Sequence, residues 1–98
     1  MADYIFLMHE VDTVDDLMPL WGPYIEGLVA QGVMRGGSAI GDGVCVRKSG
    51  DVPAITGHIG GYIKVEVDSL EAAKALLPGN PVYEAGGIIE IRELPRTG

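Results

Sequence analysis

The 98 residues carry a formal net charge of −7, with 47% hydrophobic and 21% charged residues. At this length we expect one domain, residues 1–98, and such acidity argues against binding to nucleic acid or an anionic membrane, which relies on Lys and Arg. No apolar run reaches the roughly 18 residues of a membrane span, and the amino terminus lacks a basic signal region, so a cytoplasmic location is predicted. Cys45, the single cysteine, forms no internal disulfide and is predicted to be a small buried apolar residue.

The first segment of the chain predicts a strand followed by a helix. Residues 3–9 are a run of aromatic and β-branched residues, apolar at both parities, which is typical of a strand covered on both faces. Apolar residues then recur with a helical period over residues 14–29, after a Thr13–Asp16 pair that resembles a capping box. Pro19 and Pro23 leave two alternatives: the regular helix begins near Pro19, or it kinks near Pro23.

A glycine-rich segment follows and predicts a broken strand. Gly32 is expected to end the helix, and Val33–Ile40 is predicted to be a strand with a bulge at Gly36–Gly37. A second strand is predicted over Val44–Arg47. Lys48–Gly57 is predicted to be a loop, and loops of this length in small domains are often functional.

The second half of the chain predicts a strand, a capped helix, a loop and a strand. Ile63, Val65 and Val67 alternate with polar residues, as in a strand with one buried face. Asp68, with Glu71 three residues later, is predicted to cap a helix that ends at Pro78–Gly79. The other predicted segments are a strand over Gly61–Val67, a loop over Asn80–Ala85, a strand over Ile88–Leu94 and a tail over Pro95–Gly98.

The order of these elements predicts an α+β fold. A β-α-β-β-α-β chain gives the ferredoxin-like arrangement, a four-stranded antiparallel sheet with two helices on one face. The other face is then bare, with one apolar side of the first strand at its centre. Such a surface suits a partner, so we predict a homodimer with its sheets face to face and a small-molecule ligand in the cleft between them. The polar residues predicted around that centre are Tyr62, Lys64, Glu66, Glu90 and Arg92.

Several segments resemble one protein family. They are YIFLMH, GLVAQGVMRGGSAI, GGYIKVEVDSLEAAKAL and AGGIIEIREL. Together they resemble YCII-related proteins, also called the DGPF family, and cover most of the chain. The resemblance implies a dimeric α+β barrel.

Two departures from that family affect the expected chemistry. The Asp-Gly-Pro-Phe loop is absent, and Thr56-Gly57-His58-Ile59 precedes Gly60–Gly61 instead. In one branch a helix His pairs with an Asp near the next strand, but the helix position corresponds to Trp21 here. Occasional members resemble a lyase or dehydrochlorinase that acts on a small aromatic, and the missing pair weakens that analogy.

The candidate site residues are two histidines and three possible ligand contacts. His9 closes the first strand and His58 enters the third, so each is a candidate acid–base catalyst. Arg35 or Arg92 is predicted to clamp a carboxylate, and Tyr62 to contact the substrate. The structural alternatives are histidines hydrogen-bonded to the backbone, and inter-strand or inter-subunit ion pairs, which we favour for Lys64, Glu66 and Glu90.

Three functions are compatible with this pattern. The first is a small enzyme with lyase- or isomerase-like proton transfer on an aromatic or carboxylated metabolite, without a cofactor or metal. The second is a non-catalytic dimeric module whose bare sheet serves association alone. The third, a haem or metal protein, would need His9, His58 and a carboxylate to meet.

Overall fold

The computed structural model describes residues 1–96, and the sheet they form confirms the α+β, ferredoxin-like prediction. Four antiparallel strands lie in the order β2-β3-β1-β4. In the described part of the chain, no helix is long and apolar enough to cross a membrane. The elements are β1 (Ala2–His9), α1 (Met18–Ala30), β2 (Met34–Ala39), β3 (Ile59–Val67), α2 (Leu70–Lys74), α3 (Pro81–Glu84) and β4 (Ile89–Leu94).

The two sides of the central strand β1 have different surroundings. Tyr4, Phe6 and Met8 are buried beneath the helices, whereas Ile5 and Leu7 are only half-buried on the opposite side. We call that opposite side of the sheet the open face. Strand register places on it the residues Asp3, Ile5, Leu7, Tyr62, Lys64, Glu66, Glu90 and Arg92, which includes all five of the predicted polar residues.

Helix α1 follows the first of the two proline alternatives at its start. It begins at Met18, with Pro19 in its first turn, and continues through Pro23 to Ala30. The predicted capping box does not form, because the N-cap is Leu17 and no side chain caps the helix there. Asp16 instead accepts a hydrogen bond from the backbone N–H of Met18 (3.1 Å).

The carboxyl end of α1 has the predicted glycine. Gly32 adopts φ +74°, a conformation that costs a residue with a Cβ extra energy. The N–H of Gly32 donates to the Val29 carbonyl (2.9 Å) and the N–H of Val33 to the Leu28 carbonyl (3.2 Å). These two bonds form a Schellman motif, which turns the chain directly into β2.

Three predicted features of the second half are wrong. Helix α2 ends at Lys74, with Ala75 as its C-cap, rather than at Pro78–Gly79. The cap of α2 is Ser69 rather than Asp68, and its side chain accepts from the N–H of Ala72 (3.1 Å). The predicted loop over Asn80–Ala85 contains the short helix α3 instead. Buried Asn80 caps it by accepting from the N–H groups of the next turn, and proline at the first helical position is preorganised for a helix.

The segment between β2 and β3, residues 41–57, contains no helix or strand, and we call it the arm. The predicted strand Val44–Arg47 is therefore wrong. The prediction for Cys45 is also wrong, because this residue is partly exposed between two exposed valines. Beyond β4, Arg96 contacts Asp3 and Glu66, and Thr97 and Gly98 of the predicted tail lie outside the described residues.

Candidate functional site

A cleft of about 480 Å³ lies between α1 and the sheet, on the side that the helices cover. Its position differs from the prediction, which placed a ligand between two sheets. Its walls are largely apolar, and polar groups gather only where β1 ends. The wall side chains include Met8, Trp21, Ile25, Met34, Ile63 and Val82.

The cleft exists because small residues occupy positions of β2 and β3 that face the helices. Gly37 lies opposite Ile63, and Ala39 lies opposite Gly61. A Cβ added at Gly37 would come within 2.9 Å of the Tyr62 carbonyl oxygen, and one added at Gly61 within 3.2 Å of the Ser38 carbonyl oxygen. With almost no side-chain volume on this part of the sheet, α1 cannot close the space beneath Trp21.

His9 and Glu10 border the cleft at its polar end. The pairing of β1 with β3 shifts register between Met8 and His9, and this irregularity ends the strand. The backbone N–H of Glu10 donates to the His58 carbonyl (2.7 Å). That bond fixes the point at which the arm enters β3 beside the cleft rim.

The two predicted histidines meet at this end of the sheet. Their ring centroids are 4.9 Å apart in an edge-on contact, and His9 Nε2 lies 3.0 Å from Glu90 Oε1. An ionised carboxylate only accepts hydrogen bonds, so with Glu90 charged the proton of a neutral His9 belongs on Nε2. Nδ1 then carries the lone pair, as a general base requires.

The predicted arginine clamp Arg35 is committed to other partners. Its Nε and Nη2 donate to Glu66 (3.3 and 2.9 Å), and its Nη1 donates to the carbonyls of Gly32 and Met34. Glu66 lies opposite Asp3, six residues from His9 along β1, or roughly 20 Å at the rise of a strand. Arg35 therefore does not contact a small molecule held at His9.

Arg92 and Tyr62 both lie on the open face. Arg92 is largely exposed, and its Nη1 is 3.7 Å from Glu90 Oε2, which is beyond hydrogen-bond distance. Tyr62 lies opposite Leu7 and is also among the residues that border the cleft. Both remain predicted contacts for a ligand on that face. Within residues 1–96, no three His, Cys, Asp or Glu side chains are grouped so that they could hold a metal ion.

The sequence of residues 4–96 matches the YCII-related domain. The chain belongs to the YCII-related family. Trp21 forms part of the cleft wall. No curated protein matches this YCII-related sequence.

A solved structure supports the fold of this YCII-related protein. It is a 5-chloro-2-hydroxyhydroquinone dehydrochlorinase from Burkholderia phenoliruptrix in complex with 2,5-dihydroxybenzoquinone, with a TM-score of 0.59. The comparison covers 99% of this chain and 96% of the other, at 14% sequence identity. Identity at this level shows a shared fold and leaves function to be argued from the site.

Reasoning from the sequence missed the cleft and the role of Glu90. The signal for the cleft was present, because Gly37 and Gly61 occupy strand positions where a core residue is expected. No comparable signal pointed to Glu90, which was predicted as part of an ion pair. Its contact with His9 depends on the register of β1 against β4.

Proposed function

We propose that this protein binds a small aromatic metabolite in the cleft and transfers a proton to or from it with His9. The observation that carries the proposal is the cleft itself, about 480 Å³ and walled mainly by apolar side chains. Sites for small molecules are typically about 300–1,000 Å³ and apolar, with a few polar groups that fix orientation. His9 and Glu10 supply such groups at one end.

The wall chemistry favours an aromatic ring over an aliphatic ligand. Trp21 offers a ring for stacked or edge-on contact, and Met8 and Met34 offer polarisable thioethers that interact well with aromatic faces. Because the polar groups lie at one end, we expect a ring whose hydroxyl or carboxyl substituents point toward His9. The substrate class named for the dehydrochlorinase, a chlorinated hydroquinone, is consistent with this expectation.

The proposed chemistry is proton transfer of the lyase or isomerase kind. Glu90, which lies on the open face, holds the His9 ring through Nε2. His9 also borders the cleft, so the proposal requires its Nδ1 to reach the bound ring or its substituent from the end of β1. His58 lies edge-on to His9 and is the second candidate acid–base group. Neither histidine contacts a serine or cysteine nucleophile in the described hydrogen bonds, so the proposal involves no covalent intermediate.

We also propose that a second copy of the chain covers the open face. This face places half-buried Ile5 and Leu7 on the central strand. The chain has 7 basic and 14 acidic residues. On this face, once Arg35 and Arg96, which bond to its carboxylates, are included, basic side chains outnumber acidic ones, so two copies can approach without the repulsion expected elsewhere. Its charged side chains are Arg35, Lys64, Arg92 and Arg96 against Asp3, Glu66 and Glu90.

Trp21, the only tryptophan of the chain, provides the test of ligand binding. Hydroquinone and para-hydroxybenzoate are titrated into the protein, with cyclohexanol as a non-aromatic control, and the fluorescence of Trp21 is followed. We expect saturable quenching by the aromatic compounds alone. At ten times its Kd, a ligand stabilises the native state by about 1.4 kcal/mol, which raises the Tm of a domain this size by roughly 5–10 °C.

Ala39→Phe is the matching variant, because it fills the cleft from the strand side. We expect this variant to abolish both the quenching of Trp21 fluorescence and the rise in Tm. Leu20→Phe adds an aromatic ring to an exposed position of α1 outside the cleft and should leave both intact. Saturable binding that survives in Ala39→Phe would contradict this site. Failure of every aromatic compound to bind would favour the non-catalytic dimeric module instead.

A further inference from the structure

The arm is far longer than the connection between β2 and β3 requires. The N–H of Ile40 donates to the Gly60 carbonyl (3.0 Å), and Ala39 pairs with Gly61, so the two strand ends are already adjacent. Two to five residues are enough to close such a hairpin. The arm inserts residues 41–57 at this point, so its length must serve some other purpose.

The arm makes few bonds with the rest of its own chain. Within residues 1–96, no backbone N–H or C=O group of the arm hydrogen-bonds to another backbone group, and the arm contains no helix or strand. The side chain of Arg47 also bonds within the arm, because its Nη1 donates to the backbone carbonyl of Asp51 (2.8 Å). A segment that is unsupported in this way has little reason to hold one conformation in an isolated subunit.

Apolar side chains on the arm are exposed to an unusual degree. Val44 and Val46 are 82% and 84% exposed, and Val52 is 45% exposed. The chain is also flat, with extents of 46 × 44 × 18 Å, and its radius of gyration of 15.1 Å exceeds the roughly 13 Å of a compact domain this size. Exposed valines on a projecting segment are characteristic of a surface that is buried in an assembly.

We propose that the arm docks on a second copy of this chain. It leaves the sheet beside His58, whose ring contacts His9. His9 hydrogen-bonds to Glu90 of the open face, so the start of the arm adjoins the surface proposed above for self-association. Its Arg47–Lys48 pair is the only adjacent basic pair of the chain. The arm also carries Asp42 and Asp51 and is formally neutral. The acidic surface that a second copy presents outside the open face can therefore attract the Arg47–Lys48 pair without repelling the arm as a whole.

This inference rests on the proposed self-association, and sedimentation velocity over a range of protein concentrations separates the two. Val44→Ser/Val46→Ser removes apolar surface from the arm. We expect its dimer Kd to rise about tenfold or more, because each buried valine contributes to association. Val14→Ser/Val29→Ser makes the same change at two exposed valines near and on α1 and should leave the Kd unchanged.

A dimer that is unaffected by the arm substitutions would overturn the arm proposal and leave self-association standing. A monomeric wild-type protein at all concentrations would overturn both. Cys45, the only thiol, gives a second readout that needs no substitution. Its alkylation by N-ethylmaleimide should slow as concentration favours the dimer, and a rate independent of concentration would contradict docking of the arm.

Discussion

His9 and His58 are neighbours with different surroundings. The side chain of His9 is 20% exposed and hydrogen-bonds to Glu90, whereas His58 is exposed and contacts the edge of the His9 ring. Glu90 restricts how His9 rotates and which nitrogen carries its proton. His9 is therefore the better candidate for chemistry at the cleft, although its position near the missing family motif made His58 the slightly favoured residue from the sequence.

This difference predicts unequal reactivity toward diethyl pyrocarbonate. We expect His58 to be carbethoxylated several-fold faster than His9, because burial and the bond to Glu90 protect His9. Glu90→Ala should accelerate modification of His9, while Glu93→Ala, on the other side of the same strand, should not. Peptide mass spectrometry over a time course gives both rates, and equal rates in the wild-type protein would contradict the hydrogen bond.

The sequence predicts on which face some site residues lie, but not which side chains they contact. The strand periodicity was sufficient to place Tyr62 and Arg92 on the open face. It could not bring His9 to His58, because their contact depends on a register irregularity after Met8. Arg35 was predicted to bind a ligand. Its ion pair with Glu66 of β3 can be inferred only when the pairing of the strands is known.

At the level of elements, a glycine inside α1 and the glycine of the turn that ends it have opposite consequences for stability. Gly32 has positive φ and forms the Schellman turn, where a Cβ is strained. Gly27 lies inside the helix, and a Cβ there would meet no atom within 4 Å. Substitution of alanine for glycine should therefore change the free energy of unfolding in opposite directions at the two positions.

We expect Gly32→Ala to lower the free energy of unfolding by about 1 kcal/mol. Gly27→Ala should raise it by up to about 1 kcal/mol, because alanine is the better helix former. Urea denaturation with unchanged m-values measures both. A stabilising Gly32→Ala would show that the turn does not require left-handed backbone in solution.

The elements that were predicted wrongly share a physical reason. Val44–Arg47 has the composition of a strand, but a strand needs a partner edge and the pattern does not say whether one exists. Asn80 followed by Pro81 is as typical of a turn as of a helix start. The packing of Val82 in the core favours the helix α3 over a turn. By contrast, β1, β3 and β4 each carry alternating apolar residues that lie in the core or pack against it.

On the scale of the whole molecule, one network of charges joins β1, β2, β3 and the chain beyond β4. Arg96 bonds to both Asp3 and Glu66, and Arg35 bonds to Glu66. Hydrogen bonds from Arg96 hold the pKa of Asp3 below its usual 3.8. Hydrogen bonds from Arg96 and then Arg35 hold the pKa of Glu66 below its usual 4.5.

These lowered pKa values predict how stability depends on pH. As pH falls below about 4.5, the unfolded chain takes up protons on these carboxyls before the folded chain does, so their contribution is present above that pH and lost below it. Arg96→Gln should therefore reduce the free energy of unfolding at pH 6, with a difference from wild type that shrinks below about pH 4.

Lys74→Gln is the control for that series, because it disrupts an exposed helix pair with Glu71 outside the network. The free energy of unfolding of Lys74→Gln should differ little from that of the wild type at every pH, as for most exposed ion pairs. Urea titrations at each pH measure both variants. A pH-independent difference for Arg96→Gln would mean that the network does not persist in solution.

The position of β1 at the centre of the sheet also governs when the fold can form. This strand comprises residues 2–9, yet its hydrogen-bonded neighbours are residues 59–67 and 89–94. Closing such distant pairs costs loop entropy before any contact compensates, which slows folding. During synthesis, the apolar strand emerges first and its second neighbour emerges some eighty residues later. Until then one edge of β1 is unpaired and can bond to other nascent chains, so aggregation competes with folding.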